Sequence, residues 1–228
     1  MLRHLVNVPS RRPDTDTLPM VVMIHGRGAD MHDLAGLAAP LDTPDGCRFL
    51  FPNAPKPFEP YPGTTAGWSW FGDWPPSIES VSESRHELLR FVEEMTARYP
   101  TSKVVISGFS QGAMMSFDVG LRLPEPPAAI VALSGGLYEL DLPDLSRHAG
   151  LPVLIAHGSN DDVVPVLASH RARHVLEAAG LDVELHEFPI RHHVSEEEVQ
   201  VVRRFLAKVL APKTDASDES EPVLHAKS

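Results

Sequence analysis

Cysteine is almost absent: the 228 residues contain one, Cys47, so no intrachain disulfide can form and a paired-cysteine zinc or redox centre is excluded. Basic residues are also scarce, with 20 Lys plus Arg against 31 Asp plus Glu and a formal charge of −11, which argues against a face that neutralises nucleic-acid phosphates. Long hydrophobic runs are missing. No stretch approaches the roughly 20 apolar residues of a membrane span, and the start lacks the apolar segment of a signal peptide. Glycine is outnumbered by proline, 15 to 22, the reverse of the usual order, so the connecting segments are expected to be stiff. The expectation from these absences is a soluble, cytoplasmic chain with no nucleic-acid partner.

What is present is a rhythm. Short runs rich in Val, Ile and Leu at 5–8, 20–25, 48–51, 103–107, 129–134, 153–157 and 183–188 alternate with helical patterns, the signature of an α/β fold with a mainly parallel sheet and helices on both faces. Most runs are continuously apolar, as strands covered on both faces should be. The last, Val183-Glu184-Leu185-His186-Glu187-Phe188, alternates with period two and is placed near an edge. Helices are predicted over 77–99, 111–122 and 166–179, and from Ser195, which with Glu198 forms a capping-box pattern, to about Pro212. Residues 1–212 are expected to form one domain, and the polar, acidic stretch 213–228 a disordered tail. The segment 52–76 holds all three tryptophans among several prolines, as a lid, a binding wall or a loop packed on the body would.

The strongest chemical signal is Gly108-Phe109-Ser110-Gln111-Gly112, between a strand and a helix. A turn this tight excludes side chains at its flanks and forces the serine hydroxyl out at the carboxyl edge of the sheet. A serine needs a histidine to take its proton, and that histidine needs an acid. Both follow in the expected order: Asp161 or Asp162 after the run ending at His157, then His192 or His193 before the last helix. After the run 20–25, the turn His25-Gly26-Arg27-Gly28-Ala29-Asp30 offers the backbone N–H of Arg27 to an oxyanion, with the N–H of Gln111 as the second donor.

These motifs, with Pro52-Asn53-Ala54-Pro55, Val164-Pro165 and Val194-Ser195, make the chain resemble the phospholipase/carboxylesterase family over about residues 20–210. That group includes bacterial carboxylesterases and acyl-protein thioesterases of the α/β-hydrolase fold. The resemblance implies a Ser110–His192–Asp161 triad, because the family's acid lies four positions after the histidine of the His-Gly pair and its histidine precedes an x-Val-Ser segment. It implies a serine hydrolase acting on small esters, without metal or organic cofactor; the alternatives are an acyl-protein or other acyl thioesterase, and a non-catalytic small-ligand-binding member of the fold. Trp68, Trp70 and Phe71 are the candidate pocket wall. Two positions depart from the family pattern. Arg191 replaces a glycine and is expected to narrow the pocket or depress the histidine's pKa, and an extra Gly72 separates Trp70-Phe71 from Asp73.

Other candidates have plainer readings. His170 and His174 lie four apart on a predicted helix without a third ligand and read as a solvated face. Cys47 reads as an inert core thiol, Ser134-Gly135-Gly136 as a loop beside the pocket, and Met114 and Met115 as core. The sequence carries no indication of oligomeric state.

Overall fold

The computed structural model describes residues 1–9, 17–72, 75–101 and 103–211. The tail expected at 213–228, and Asp73 and Trp74 of the aromatic segment, fall outside them.

Seven strands form the main sheet in the order β1(His4–Asn7), β3(Arg48–Pro52), β2(Met20–Ile24), β6(Val104–Phe109), β7(Ala129–Leu133), β8(Pro152–Gly158) and β9(Asp182–Phe188). β1 runs antiparallel to β3, and every other pairing is parallel. The carboxyl ends of β2, β6, β7, β8 and β9 therefore open on one rim, where the loops of an open α/β sheet build its site. The period of two sorts each strand's residues between two cores. Val21 and Met23 face α1(Ala38–Leu41) and α5(Glu196–Leu210), packing with Leu41, Val202, Phe205 and Leu206. Met20, Val22 and Ile24 face the opposite side, where α2(Ile78–Arg98) contributes Leu88, Phe91 and Met95. On that side α3(Gln111–Gly120) and α4(Leu167–Ala178) cover Ile130, Ala132, Val153 and Ile155 with Phe117, Ala172 and Leu176. Each large apolar side chain so buried contributes about 1.5–3 kcal/mol before the entropy cost of ordering it.

The helix boundaries have local causes. Ser77 caps α2, accepting from the Ser80 N–H, and Pro100 lies just past its end. Ser195 and Glu198 close the capping box of α5 reciprocally. β9 is only half-buried along its length, as its alternating sequence predicts for the strand at the sheet's end. Among the described residues no helix is long and apolar enough to cross a membrane.

The aromatic segment holds the main departure from the sequence pattern. Its two-residue strands β4(Lys56–Pro57) and β5(Trp68–Ser69) pair antiparallel, and Gly28 and Ala29 of the turn after β2 exchange backbone hydrogen bonds with Trp68 at 2.8 Å each. The approach is close enough that a Cβ on Gly67 would sit 2.0 Å from the Gly28 carbonyl oxygen. This pairing locks the Arg27 turn to the aromatic segment.

Candidate active site

Ser110 stands between the end of β6 and the start of α3 with φ 56° and ψ −118°, a conformation that costs a non-glycine residue about 1–3 kcal/mol. Three features hold it there. Its N–H donates to the Leu133 carbonyl at 2.8 Å. A Cβ on Gly108 would meet the Gly112 carbonyl oxygen at 2.2 Å, and one on Gly112 would meet the Ile24 carbonyl oxygen at 1.9 Å, so the turn closes only with glycine on both flanks. Although Ser110 occupies the N-cap position of α3, its hydroxyl caps nothing. That oxygen instead lies 2.9 Å from Nε2 of His192.

His192 sits in the loop between β9 and α5, its ring tilted against Phe109 with centroids 4.8 Å apart. Nδ1 lies 2.7 Å from Oδ2 of Asp161. A carboxylate can only accept, so Nδ1 carries the proton and Nε2 is left to take one from Ser110. The Asp161 side chain is fully buried, and its Oδ1 accepts the N–H groups of Val163 at 2.9 Å and Val164 at 2.8 Å. Burial opposes its charge, but the His192 hydrogen bond and the two backbone donors outweigh it and hold the carboxyl below its ordinary range. Asp162 and His193, the neighbours that the sequence left open, turn away. Asp162 pairs at the surface with Arg191, and His193 is exposed. Arg191 thus points outward to Asp162 and does not line the cavity over Ser110.

Arg27 and Gln111 both border that cavity, and their backbone N–H groups donate to no described residue. Two free donors beside a nucleophile can hold a developing oxyanion, and Gln111 adds the positive end of α3. The turn that presents Arg27 is braced by His25, which is buried. His25 Nδ1 donates to the Gly26 carbonyl at 2.7 Å and Nε2 accepts the Ala54 N–H at 3.0 Å, which fixes its tautomer, and burial lowers its pKa.

The cavity has a volume of about 240 Å³ and is lined by Arg27, Phe71, Ser110, Gln111, Met114, Val163 and Val164. Of the three aromatic residues expected in the wall, only Phe71 is there. Trp70 is fully buried in the core on the α2 side and donates its indole N–H to the His25 carbonyl at 2.9 Å; Trp68 is half-buried beneath the Arg3 guanidinium. Met114, read from sequence as core, lines the cavity, whereas Met115 is fully buried. The sequence also gave no sign of what the Gln111 side chain does. Its Oε1 accepts the Trp70 N–H at 2.8 Å and the Ser69 hydroxyl lies 3.2 Å from the same oxygen, while Nε2 donates to the Phe71 carbonyl at 2.7 Å. One amide thus ties the aromatic segment to the serine turn.

Elsewhere, a larger open hollow of about 840 Å³ lies between α2 and residues 122–127, against the amino end of β6 and away from Ser110. Ser134 has φ 50° and is buried, and its hydroxyl has no partner among the described residues, so no base is within reach of it. His170 pairs with Glu187 at the surface, and the described residues contain no metal-holding cluster. Cys47 is buried, with its thiol pKa raised by burial.

A mainly parallel sheet flanked by helices, with a serine on a strained strand-to-helix turn at its carboxyl rim, defines the α/β-hydrolase class. Residues 8–210 match the model of the phospholipase/carboxylesterase family, to which the chain belongs. Acyl-protein thioesterase 1 of Aspergillus fumigatus is 29% identical, over 91% of this chain and 93% of its own length. Among solved structures, esterase PE8 superposes with a TM-score of 0.77 at 30% identity, covering 91% of this chain and 98% of that one. Acyl-protein thioesterase 2 of Zea mays gives a TM-score of 0.74 at 23% identity over 92% of this chain and all of that one, a likeness of fold.

Proposed function

We propose that this protein hydrolyses acyl thioesters and carboxylic esters through an acyl-enzyme on Ser110, with thioesters the favoured substrates. The observation that carries the reading is the unbroken hydrogen-bonded line from Ser110 Oγ through His192 to Asp161. His192 Nε2 takes the serine proton as Oγ attacks the acyl carbon, and the carbonyl oxygen becomes an oxyanion facing the N–H groups of Arg27 and Gln111. The imidazolium then returns its proton to the departing thiolate or alkoxide as the bond to the acyl carbon breaks. Water, deprotonated by the same Nε2, attacks the acyl-serine, and as the bond from the acyl carbon to Oγ breaks, the imidazolium returns that proton to Ser110 and the carboxylic acid leaves. Asp161 keeps Nδ1–H in place throughout and offsets the imidazolium charge.

Two observations support the thioesterase preference. Relatives such as that of A. fumigatus carry the name acyl-protein thioesterase. Trp70 lies in the core and not over Ser110, and the exposed Val163 borders the cavity at a mouth that an acylated cysteine on a larger molecule could reach. Carboxylesterase activity is the second reading, favoured by the likeness to esterase PE8. A protein that only binds a ligand would have no need of the Ser110–His192–Asp161 line. Matched substrates sharing one acyl chain, a thioester and an oxygen ester, decide between the first two. A higher kcat/KM for the thioester is expected, and a preference for the oxygen ester across several acyl lengths would reverse the order.

A further inference from the structure

His157 is fully buried at the end of β8 and has no part in the steps above. Its ring nitrogens have assigned roles. Nε2 lies 2.8 Å from the Val164 carbonyl oxygen, which can only accept, so Nε2 carries the proton. The same N–H lies 3.4 Å from Asp161 Oδ2, the oxygen that holds His192. Nδ1 is 2.6 Å from Ser169 Oγ in α4 and, bare in the neutral ring, accepts a hydrogen bond from that hydroxyl. Ser169 is itself fully buried and lies 3.0 Å from the Gly135 carbonyl oxygen. Burial keeps the ring below the ordinary imidazole range, which favours the neutral form that this pattern needs.

These contacts close a ring. Asp161 Oδ1 accepts the Val164 N–H, the Val164 carbonyl accepts from His157, and the same N–H of His157 faces Asp161 Oδ2. The segment 161–164 is exposed at Asp162 and Val163, and its N–H groups hold Asp161 Oδ1. The ring through His157 anchors that segment, and Oδ2, to β8 and α4.

We propose that His157 is a positioning residue for the acid of the triad: its Nε2–H holds the Val164 carbonyl and shares the Asp161 carboxylate with His192, which fixes the direction from which Asp161 accepts the hydrogen bond of His192 Nδ1–H. The inference rests on the Ser110–His192–Asp161 reading. The other ionisable groups acting on this corner are His192 from the loop after β9, Glu198 from α5, the Arg191–Asp162 pair at the surface, and Glu187 of β9, which acts on His157.

The experiment compares kcat, KM and the pH dependence of kcat/KM for the wild type, His157→Phe, His157→Gln and Ser110→Ala. Phenylalanine keeps a ring but no donor, whereas glutamine restores an N–H near the Nε2 position. His157→Phe should lower kcat about tenfold with KM little changed, equivalent to one buried hydrogen bond. Its acid limb should also move up by about half a pH unit, because Asp161 with one donor fewer attracts the His192 imidazolium more strongly. His157→Gln should recover both. A general loosening of the fold would lower activity without the directed limb shift or its recovery. A folded His157→Phe enzyme with wild-type kcat and limb, beside an inert Ser110→Ala, would overturn the inference and leave the triad reading standing. Full turnover by Ser110→Ala would overturn the triad reading and the inference with it. If His157→Phe does not fold, Ser169→Ala decides, since it leaves the ring but removes the partner of Nδ1; an upward limb shift supports the inference and an unmoved limb refutes it.

Discussion

Replacing Asp161 with asparagine tests the orientation of the site with almost no change in shape. Oδ1 of Asp161 accepts two backbone N–H groups at 2.9 and 2.8 Å, so the asparagine carbonyl must take that side; an NH2 there would face two donors. The amide NH2 then occupies the place of Oδ2, 2.7 Å from His192 Nδ1. Nδ1 must become an acceptor, which moves the imidazole proton to Nε2, and Nε2 can no longer take the Ser110 proton. The carboxylate charge opposite the imidazolium is lost as well. Together these effects should lower kcat about 10⁴-fold, or about 5 kcal/mol at 1.36 kcal/mol per factor of ten. KM should change little, because Asp161 does not line the cavity. Initial rates on an aryl ester and on a thioester, with thermal melts to verify folding, provide the assay. A variant within about tenfold of the wild type on both substrates would refute the reasoning.

The remaining predictions concern the supports of the site. Burial pushes the Glu198 carboxyl from 4.5 up to about 7, so the folded protein binds that proton more tightly than the unfolded chain does. The resulting penalty is absent below the unfolded pKa and complete above about 7, where it reaches about 3 kcal/mol. Glu198→Gln retains an acceptor for the Ser195 N–H, so its stability relative to the wild type should rise by about that amount between acid and mildly alkaline pH in urea unfolding; an offset independent of pH would contradict this. Gly112→Ala would push a Cβ to 1.9 Å from the Ile24 carbonyl oxygen and 2.6 Å from that of His25, so a sharp loss of melting temperature and of turnover is expected, and near-normal values for both would count against the close fit. Gln111→Ala keeps the backbone N–H but leaves the Trp70 N–H without its side-chain acceptor, at a cost of about 1–3 kcal/mol, and leaves the Phe71 carbonyl with the Ser69 hydroxyl as its remaining side-chain donor. Its melting temperature should fall and KM should rise more than kcat falls; the opposite split would show that the side chain acts on the chemistry.

Much of the architecture was legible because the apolar runs and helical periods are long enough to carry their own signal. The alternating run at β9 announced its place at the sheet's end, and the helix over 77–99 is bounded by a serine and a proline. The glycine spacing around Ser110 was equally readable, since backbone contact there excludes any side chain. Elements without a period were not. β4 and β5 have two residues each, and the fate of Trp70 depends on a hydrogen bond to a carbonyl 45 positions away. The adjacent pairs Asp161/Asp162 and His192/His193 are alike in residue type, so the sequence singles out Asp161 and His192 only through the family pattern; in the fold, the direction of the backbone separates the buried side chain from the exposed one. Arg191 illustrates the same limit: the residue type suggests a cation in the pocket, but its partner Asp162 draws it to the surface. The roles of Gln111 and His157 depend on contacts formed after folding, and no spacing in the chain encodes them.

The central claim is that the Ser110 oxygen receives the acyl group. Intact-mass analysis after treatment with a fluorophosphonate probe measures this directly, in the wild type and in Ser110→Ala. One adduct on the wild type, mapped to the peptide containing Ser110, and none on the variant is the predicted result. An adduct of equal yield on Ser110→Ala would contradict it.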